Sequence, residues 1–494
     1  MDRTPRALLA RLAALRAADL PVRGGRTMAY VYDSGLPGVD ELAQAAHAAF
    51  AGVNGLDMTA FPSVVTLEND VVGQAAELLG GGPGTVGVFT SGGTESCLLA
   101  VLTAREHARR RGVTAPELVL PATAHAAFHK AAKLFGLTPV SVPVDPRTFR
   151  VRAEDVDAAL TARTALVVVS APSYAHGVVD PVAAVAAAAA RHGVLCHVDA
   201  CIGGWHLGHL RRAAQAPAEG AGEEPGVAQQ EARVPEFDLS VPGVSSLSVD
   251  LHKYAYTPKG ASVLLFRDAE LRRHGWFAHA AWPGYPVVNA TLQGTKSAGP
   301  LAAAWAVLRH IGPDGYAELS RRVHTATRRL VDGIGGIEGL YVLGAPDASL
   351  VAVASGDPEL HPFVLADEMR LLGWYLQPQP SFAGSPSNVH LTVTAAVAAP
   401  ERIDELLAAL AVAARRARRT GPPAVDPALV GLAATLDPDT LGPAEVALAL
   451  DAAGVGADGA LPPRGAPVLA VLEALPPRLS ERLLPEVVSR LYGG

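Results

Sequence analysis

"VDLHKYAYTPKG", residues Val249 to Gly260, lies between two apolar runs, "VSSLSV" before it and "ASVLLFRD" after it. A solvated turn draws Asn, Gly or Ser. This connection instead crowds Asp250, His252, Lys253 and Lys259 together with two tyrosines. Reactive groups on a loop held by rigid strands are a common way to build a site. A lysine at a strand end, after a histidine, has the placement of a Schiff-base former toward a carbonyl. It takes that role when desolvation or a nearby cation lowers its pKa. The ordinary alternative is a surface turn lysine.

Upstream, strand-like and helix-like segments alternate. "TVGVFTS", "PELVLPAT", "TALVVVSAP" and "VLCHVDA" read as strands. Between them "ESCLLAVLTAREHARRRG", "AAFHKAAKLFG" and "PVAAVAAAAARHG" read as helices, ended by Gly112, Gly136 and Gly193. The strands are continuous apolar runs, which marks a mainly parallel sheet covered on both faces. In such sheets ligands collect at the carboxyl ends of strands.

Two strand ends carry chemistry. "TSGGTES" follows one strand and opens a helix. Glycines there permit close backbone approach, and the free N–H groups of a helix start bind phosphate. Ser91, Thr94 and Ser96 add hydroxyls, and a plain turn capped by Thr94 is the alternative. "HVDACIGG" ends another strand at Asp199, a carboxylate that needs a partner if it is desolvated. Gly82, Gly84 and Gly87 match G-x-G-x-x-G, but they follow a helix and open a strand, the wrong order for a dinucleotide site. His197, His206, and His125 with His129 lack a compact ligand spacing, so no metal is expected.

The chain has 494 residues, too many for one core. Apolar residues make up 49% and charged residues 18%, which excludes a disordered chain. The net charge of −7 argues against bulk nucleic-acid binding. Three cysteines give no disulfide framework and point to a reducing compartment. No membrane span is expected, since no charge-free apolar run reaches the required length. The N-terminus, with Leu8, Leu9, Leu12, Leu15 and Leu20, reads as an amphipathic helix rather than a signal peptide. "RRARR" at Arg415–Arg419 reads as a solvated helix end. The expected organisation is a helical arm over 1–70, a large domain over 71–290 with a surface insertion at about 208–236, a small α+β domain over 291–420, and a helical extension over 421–494.

A phosphate cradle, a strand-end acid and a strand-end lysine together suit pyridoxal phosphate, which needs all three. The order of "TSGGTES", "TAHAAFHKAA", "SAPSYAHGVVDP", "HVDACIGG", "SVDLHKYAYTPKG" and "GTKSAGPLAAAWAVL" resembles the pyridoxal-phosphate-dependent group II decarboxylases, and most of all their sphingosine-1-phosphate lyase branch. The resemblance covers about residues 25–415. It implies an α/β chain of fold type I, aspartate aminotransferase-like: a large, mainly parallel seven-stranded sheet domain and a smaller C-terminal α+β domain. It implies that Lys253 binds the aldehyde of pyridoxal 5'-phosphate, that Asp199 pairs with the ring nitrogen and that His125 stacks on the ring. Gly92, Gly93 and Thr94 would hold the phosphate beside His252, with Ser170 and His176 near the ring.

Family members are homodimers with shared sites, so Gly294 and Thr295 of "GTKS" would reach the neighbour's cofactor phosphate. Lys253, and after it Tyr254 and Tyr256, are the proton-transfer candidates. Tyr32 and Lys259 match substrate-phosphate contacts. Asp57 stands where the family has a histidine, and Lys296 where it has an arginine, so Asp57 is a candidate for a cationic substrate group. The implied activity is aldehyde-lyase cleavage of a phosphorylated amino alcohol. The alternatives are decarboxylation of an amino acid or, in another class, a non-catalytic cofactor-fold protein. Eukaryotic relatives carry a membrane anchor for which this chain leaves no room, so a cytoplasmic location is expected.

Overall fold

The structure, a computed structural model, describes residues 3–215, 234–452, 455 and 462–493. The large sheet is built from β1 (Val86–Thr90), β2 (Glu117–Pro121), β3 (Thr138–Val142), β4 (Thr164–Ser170), β5 (Leu195–Asp199), β6 (Val244–Asp250) and β7 (Ser262–Phe266). Their order across the sheet is β1-β7-β6-β5-β4-β2-β3. Strands β3, β2, β4, β5 and β6 run parallel, while β7 is antiparallel to both β6 and β1.

Helices α1 (Pro5–Leu15), α2 (Val39–Ala49) and α3 (Pro62–Leu78) precede the sheet. Within it come the crossover helices α4 (Gly93–Arg110), α5 (Ala127–Phe135), α6 (Ala153–Ala159), α7 (Val182–Arg191) and α8 (Gly204–Gln215), and after it the short α9 (Ala269–Arg273). Both faces of the sheet are covered. In β4, Val167 and Val169 join one core while Leu166 and Val168 join the other. That alternation is why the strand reads as an unbroken apolar run.

The two-stranded β8 (Phe277–His279) and β9 (Val287–Asn289) form a hairpin with Phe277, Tyr285 and Val288 exposed. The long α10 (Gly299–Gly335) then leads into the small domain. It is bent at Gly312, whose φ of 66° is non-helical, followed by Pro313, so the stretch is two helices joined at a kink. The small sheet is antiparallel, in the order β10 (Leu340–Val342), β11 (Leu350–Ser355), β13 (Asn388–Thr392), β12 (Gln377–Gln379). Helices α11 (Pro362–Leu371) and α12 (Pro400–Thr420) pack with it, and α13 (Pro427–Ala433), α14 (Pro443–Ala452), α15 (Ala466–Ala474) and α16 (Pro477–Gly493) follow.

Three placements sharpen the sequence reading. Gly208–Gln215, within the expected insertion, continue α8, and Leu207 and Leu210 are buried. Phe237 is buried as well, and residues 216–233 lie outside the described residues. The N-terminal stretch does not stay apart as an arm: Met28 N–H donates to the Tyr375 carbonyl and Thr392 N–H donates to the Met28 carbonyl, so this stretch is stitched to the small sheet. Helix α1 forms as expected, yet Leu8, Leu9, Leu12 and Leu15 are all exposed. Among the described residues no helix is long and apolar enough to cross a membrane.

Candidate active site

The carboxyl ends of β4 and β5 and the loop after β6 face the start of α4 across one cavity of about 340 Å³. Its walls include Gly92, Gly93 and Thr94 from the α4 start, Ser170 and Asp199 from the strand ends, His252 and Lys253 from the loop, and His125. The register explains part of this: Ser170 pairs with Asp199, and Asp199 with Ser248. Lys253 and Asp199, read from sequence as the two chemical poles, therefore line the same space.

The α4 start is shaped for close approach. Gly92 has φ +149°, a conformation that side chains disfavour, and a Cβ on Gly93 would sit 2.6 Å from Asp250 Oδ2. Glu95 stiffens the turn by accepting from the Ser91 N–H at 2.7 Å. An 18-residue helix that opens into a cavity offers N–H groups and a positive dipole end to an anion.

Lys253 Nζ lies 2.9 Å from Asp250 Oδ2, and both side chains are largely buried. Burial alone would lower the lysine pKa, but the Asp250 charge, with Tyr32 and Cys201 behind it, holds it well above its usual value. Asp250 is held below its ordinary value: burial opposes this, and Lys253 and His252 outweigh it. Its Oδ1 is buried without a hydrogen-bond partner. His252 accepts the Ala261 N–H at Nδ1, which leaves its proton on Nε2, 3.6 Å from Asp250 Oδ2. Burial brings the His252 pKa down to about 4, so the ring is neutral at pH 7.

Asp199 Oδ1 accepts the Cys201 N–H at 3.1 Å. Cys97, Asp199 and Cys201 bring donor atoms within 4.8 Å of one another. The Cys201 thiol is pushed well up by its hydrogen bond with Cys97, by burial and by the Asp199 and Asp250 charges. All three residues line the cavity.

Other expected residues fall elsewhere. Tyr254 donates its hydroxyl to the Val393 carbonyl at 2.8 Å and accepts from Ser349. Tyr256 is buried with φ 56°. Neither lines the cavity, and structural contacts occupy both. His176 bonds Ser385 Oγ at 3.0 Å and stacks on Phe149, which turns it into a neighbouring cleft shared with His125 and Tyr174. Asp57 is exposed, and its carboxylate accepts from the Thr59 and Ala60 N–H groups and the Thr59 hydroxyl. It closes a local turn.

Gly294 and Thr295 are exposed, while Lys296 Nζ binds both Glu68 oxygens. Lys259 donates to the Tyr30 carbonyl at 2.8 Å and sits 4.8 Å from the Tyr32 ring centre. Crowding by neighbouring atoms, and then the Lys253 charge, lower its pKa to about 8. Burial raises Tyr32 to about 12.

Sequence reasoning gave no role to Asp250 or Tyr174. The i, i+3 spacing of Asp250 and Lys253 was the available signal for the first. Tyr174 lines the cavity and donates to Gln377 Oε1 at 2.5 Å, a partner from another domain that no local pattern reveals.

Comparison with known proteins agrees with this geometry. Residues 36–212 match the model "Pyridoxal-dependent decarboxylase conserved domain". Sphingosine-1-phosphate lyase of Oryza sativa is 34% identical over 390 residues, 78% of this chain and 68% of that one. The chain belongs to the pyridoxal-dependent decarboxylase family. Within this family it is most like the sphingosine-1-phosphate lyases, and its cofactor is pyridoxal 5'-phosphate.

The Rattus norvegicus sphingosine-1-phosphate lyase 1 is also 34% identical over 78% of the chain, and the match spans 64% of that relative's length. The solved sphingosine-1-phosphate lyase of Burkholderia pseudomallei is 33% identical with a TM-score of 0.76, covering 85% of this chain and 92% of that one. Glutamate decarboxylase of Lactobacillus brevis, at 19% identity and TM-score 0.70, shares the fold. Residues 427–490 match a model described as an HTH candidate domain at the C-terminus of pyridoxal-dependent enzymes.

The cavity fits this cofactor. Gly92, Gly93 and Thr94 at the α4 start suit its phosphate, Asp199 its ring nitrogen, and Lys253 its aldehyde. The orphaned Asp250 Oδ1 marks a polar interior that the protein alone leaves incomplete.

Proposed function

We propose that this chain is a pyridoxal-phosphate-dependent carbon–carbon lyase that cleaves a phosphorylated amino alcohol to an aldehyde and a phosphorylated amine. The observation that carries the reading is one cavity lined by Lys253, Asp199 and the α4 start, in a chain 33% identical to a solved sphingosine-1-phosphate lyase. Decarboxylation of an amino acid has only the shared family behind it.

Bound pyridoxal phosphate supplies the electron sink for the bond that breaks. Asp199 would hold the ring nitrogen protonated, in a buried setting that strengthens the pairing. Asp250 keeps Lys253 Nζ charged and positioned before the cofactor arrives; Lys253 must shed that proton to react. Lys253, on the cavity wall, would be the base for the proton steps, while Tyr254 and Tyr256 stay with their structural partners. Lys259 is a cation below a pH of about 8, which suits a substrate phosphate.

We read the protein as a cytoplasmic homodimer. All three cysteines are free, and Trp276, Phe277, Trp282, Tyr285 and Leu292, in the stretch of chain that leads to Gly294 and Thr295, are exposed apolar side chains available to a dimer contact.

The purified protein is expected to show a visible band that borohydride abolishes and that Lys253→Ala lacks. Incubation with a phosphorylated long-chain amino alcohol is expected to yield aldehyde and phosphoethanolamine. Carbon dioxide from an amino acid, with no aldehyde from the amino alcohol, would move the assignment to the decarboxylases.

A further inference from the structure

A second cavity, of about 640 Å³, lies where the C-terminal helices meet the small domain. Its volume is typical of small-molecule sites, which span about 300–1,000 Å³. Val468, Leu472, Leu484 and Val487 of α15 and α16 form one wall, and Tyr30, Tyr375 and Gln377 form part of the other. Aliphatic walls give water few partners, so a space of this size calls for an apolar occupant.

We infer that this cavity receives the aliphatic tail of a long-chain substrate whose head reacts at Lys253. The inference rests on the lyase reading above and adds the tail site to it. Continuity carries it. Tyr174 lines the cofactor cavity, and its hydroxyl donates to Gln377, which lines the apolar one. Lys259, the proposed substrate-phosphate contact, donates to the carbonyl of Tyr30, which lines the apolar cavity and packs on Tyr375 at 5.9 Å between ring centres. The Tyr174–Gln377 hydrogen bond joins the two linings, so an extended chain leaving the reaction centre has an apolar destination beside it.

Three charged residues join the lining, Asp367, Arg370 and Glu445, and both carboxylates are taken up by backbone N–H groups. Asp367 is committed to the Gly465 and Ala466 N–H groups at the start of α15, and Glu445 to the Gly442 N–H. A nucleic acid is a poor candidate for this module: residues 427–490 contain eight acidic residues against four arginines. The helices matched to an HTH model thus turn aliphatic side chains toward the catalytic lobes instead of presenting a basic face.

The test has two arms. In the first, cleavage by the holoenzyme is measured over a series of tail lengths. At ~0.8 kcal/mol per buried methylene, removing four methylenes is expected to lower kcat/KM about 100-fold or more. Leu472→Trp fills the cavity and is expected to abolish that advantage while the visible cofactor band is retained; Leu371→Trp, on an exposed residue outside the cavity, is expected to preserve it. In the second arm, calorimetry measures dodecanol binding to the holoenzyme, with no cleavage required. Binding is expected for the native protein and Leu371→Trp and is expected to be lost in Leu472→Trp. Val487→Trp replaces Leu472→Trp if the latter loses its native circular dichroism.

Dodecanol binding that depends on Leu472, without cleavage of any amino alcohol phosphate, would keep the cavity's apolar specificity and overturn the lyase reading. Cleavage indifferent to tail length, or dodecanol bound equally by Leu472→Trp, would overturn the tail site. Loss of a native oligomer in Leu472→Trp, with no alcohol binding in the native protein, would overturn it in favour of a contact between copies.

Discussion

Replacing Asp250 by Asn removes one charge and almost no volume. In the native site the carboxylate lies 2.9 Å from Lys253 Nζ, with both groups withdrawn from water. At an effective dielectric constant near 20, charges at that distance attract by about 6 kcal/mol, or about four pKa units. Burial pulls the lysine the other way, by up to about 3–5 units for a fully enclosed ammonium. With Asp250 present the carboxylate wins and the lysine stays well above its ordinary value. In Asp250→Asn burial is unopposed, and Lys253 is expected to fall below it.

Only the neutral amine attacks an aldehyde. Apoprotein is mixed with pyridoxal 5'-phosphate and growth of the visible band is followed by stopped flow between about pH 6 and 9. The native rate is expected to rise close to tenfold per pH unit across this range. Asp250→Asn is expected to be up to about 10⁴-fold faster at pH 7 and to level off at lower pH, as a shift of about four units requires. Breaking the buried pair also destabilises the fold by about 3 kcal/mol, so native circular dichroism is the control. If the two pH profiles superimpose in folded protein, Asp250 does not govern the protonation of Lys253 and the electrostatic argument fails.

Gly93→Ala is expected to cost about 1–3 kcal/mol through overpacking, since its Cβ would meet Asp250 Oδ2 at 2.6 Å and Cys201 Sγ at 3.0 Å; equilibrium dialysis should also show weaker cofactor retention, and unchanged retention would remove Gly93 from the phosphate cradle. Tyr254→Phe loses the bonds to Val393 and Ser349, so thermal or urea unfolding should report a loss of about 1–3 kcal/mol with kcat essentially unchanged. A drop in kcat of about 10²-fold or more would instead restore Tyr254 as a proton-transfer group. His206 is buried with both ring nitrogens unpaired, and burial, with His324 and His209 nearby, lowers its pKa to about 3. The unfolded chain takes up that proton near pH 6.5 and the folded one does not, so stability falls as pH drops from about 6.5 toward 3. His206→Phe is expected to recover about 2 kcal/mol at pH 5 relative to pH 7.5 in urea titrations; equal recovery at both pH values would mean that the histidine is not buried neutral.

The elements most legible in sequence were those whose chemistry is local. Each buried strand announces itself as an apolar run, and the glycines after β1 and the Asp at the end of β5 sit at strand ends where ligands gather. Lys253 and Asp199 were therefore readable from position alone, and the structure sets both on one cavity. Groups decided by tertiary partners were not readable. Nothing near Tyr254 in the chain tells that Val393 and Ser349 would claim its hydroxyl, or near Tyr174 that Gln377 would accept from it. Asp57 was judged by the charge it would offer a substrate, whereas its short side chain satisfies the backbone two and three residues on. The "GHLRRAAQ" segment looked like surface because it is rich in small and charged residues; its buried Leu210 and His209 mark it as the covered end of a helix.

The antiparallel β7 has a consequence for biosynthesis. Strand β1 leads into the glycines proposed to hold the cofactor phosphate, yet its ladder partner, Ser262–Phe266, is made only after every other strand of the large sheet. A nascent chain on the ribosome thus holds Val86–Thr90 as an unsatisfied edge while the parallel strands accumulate. Vitamin capture must then wait until translation has passed Lys253 and its neighbouring strand, and the interval before closure is when a chaperone has most to protect.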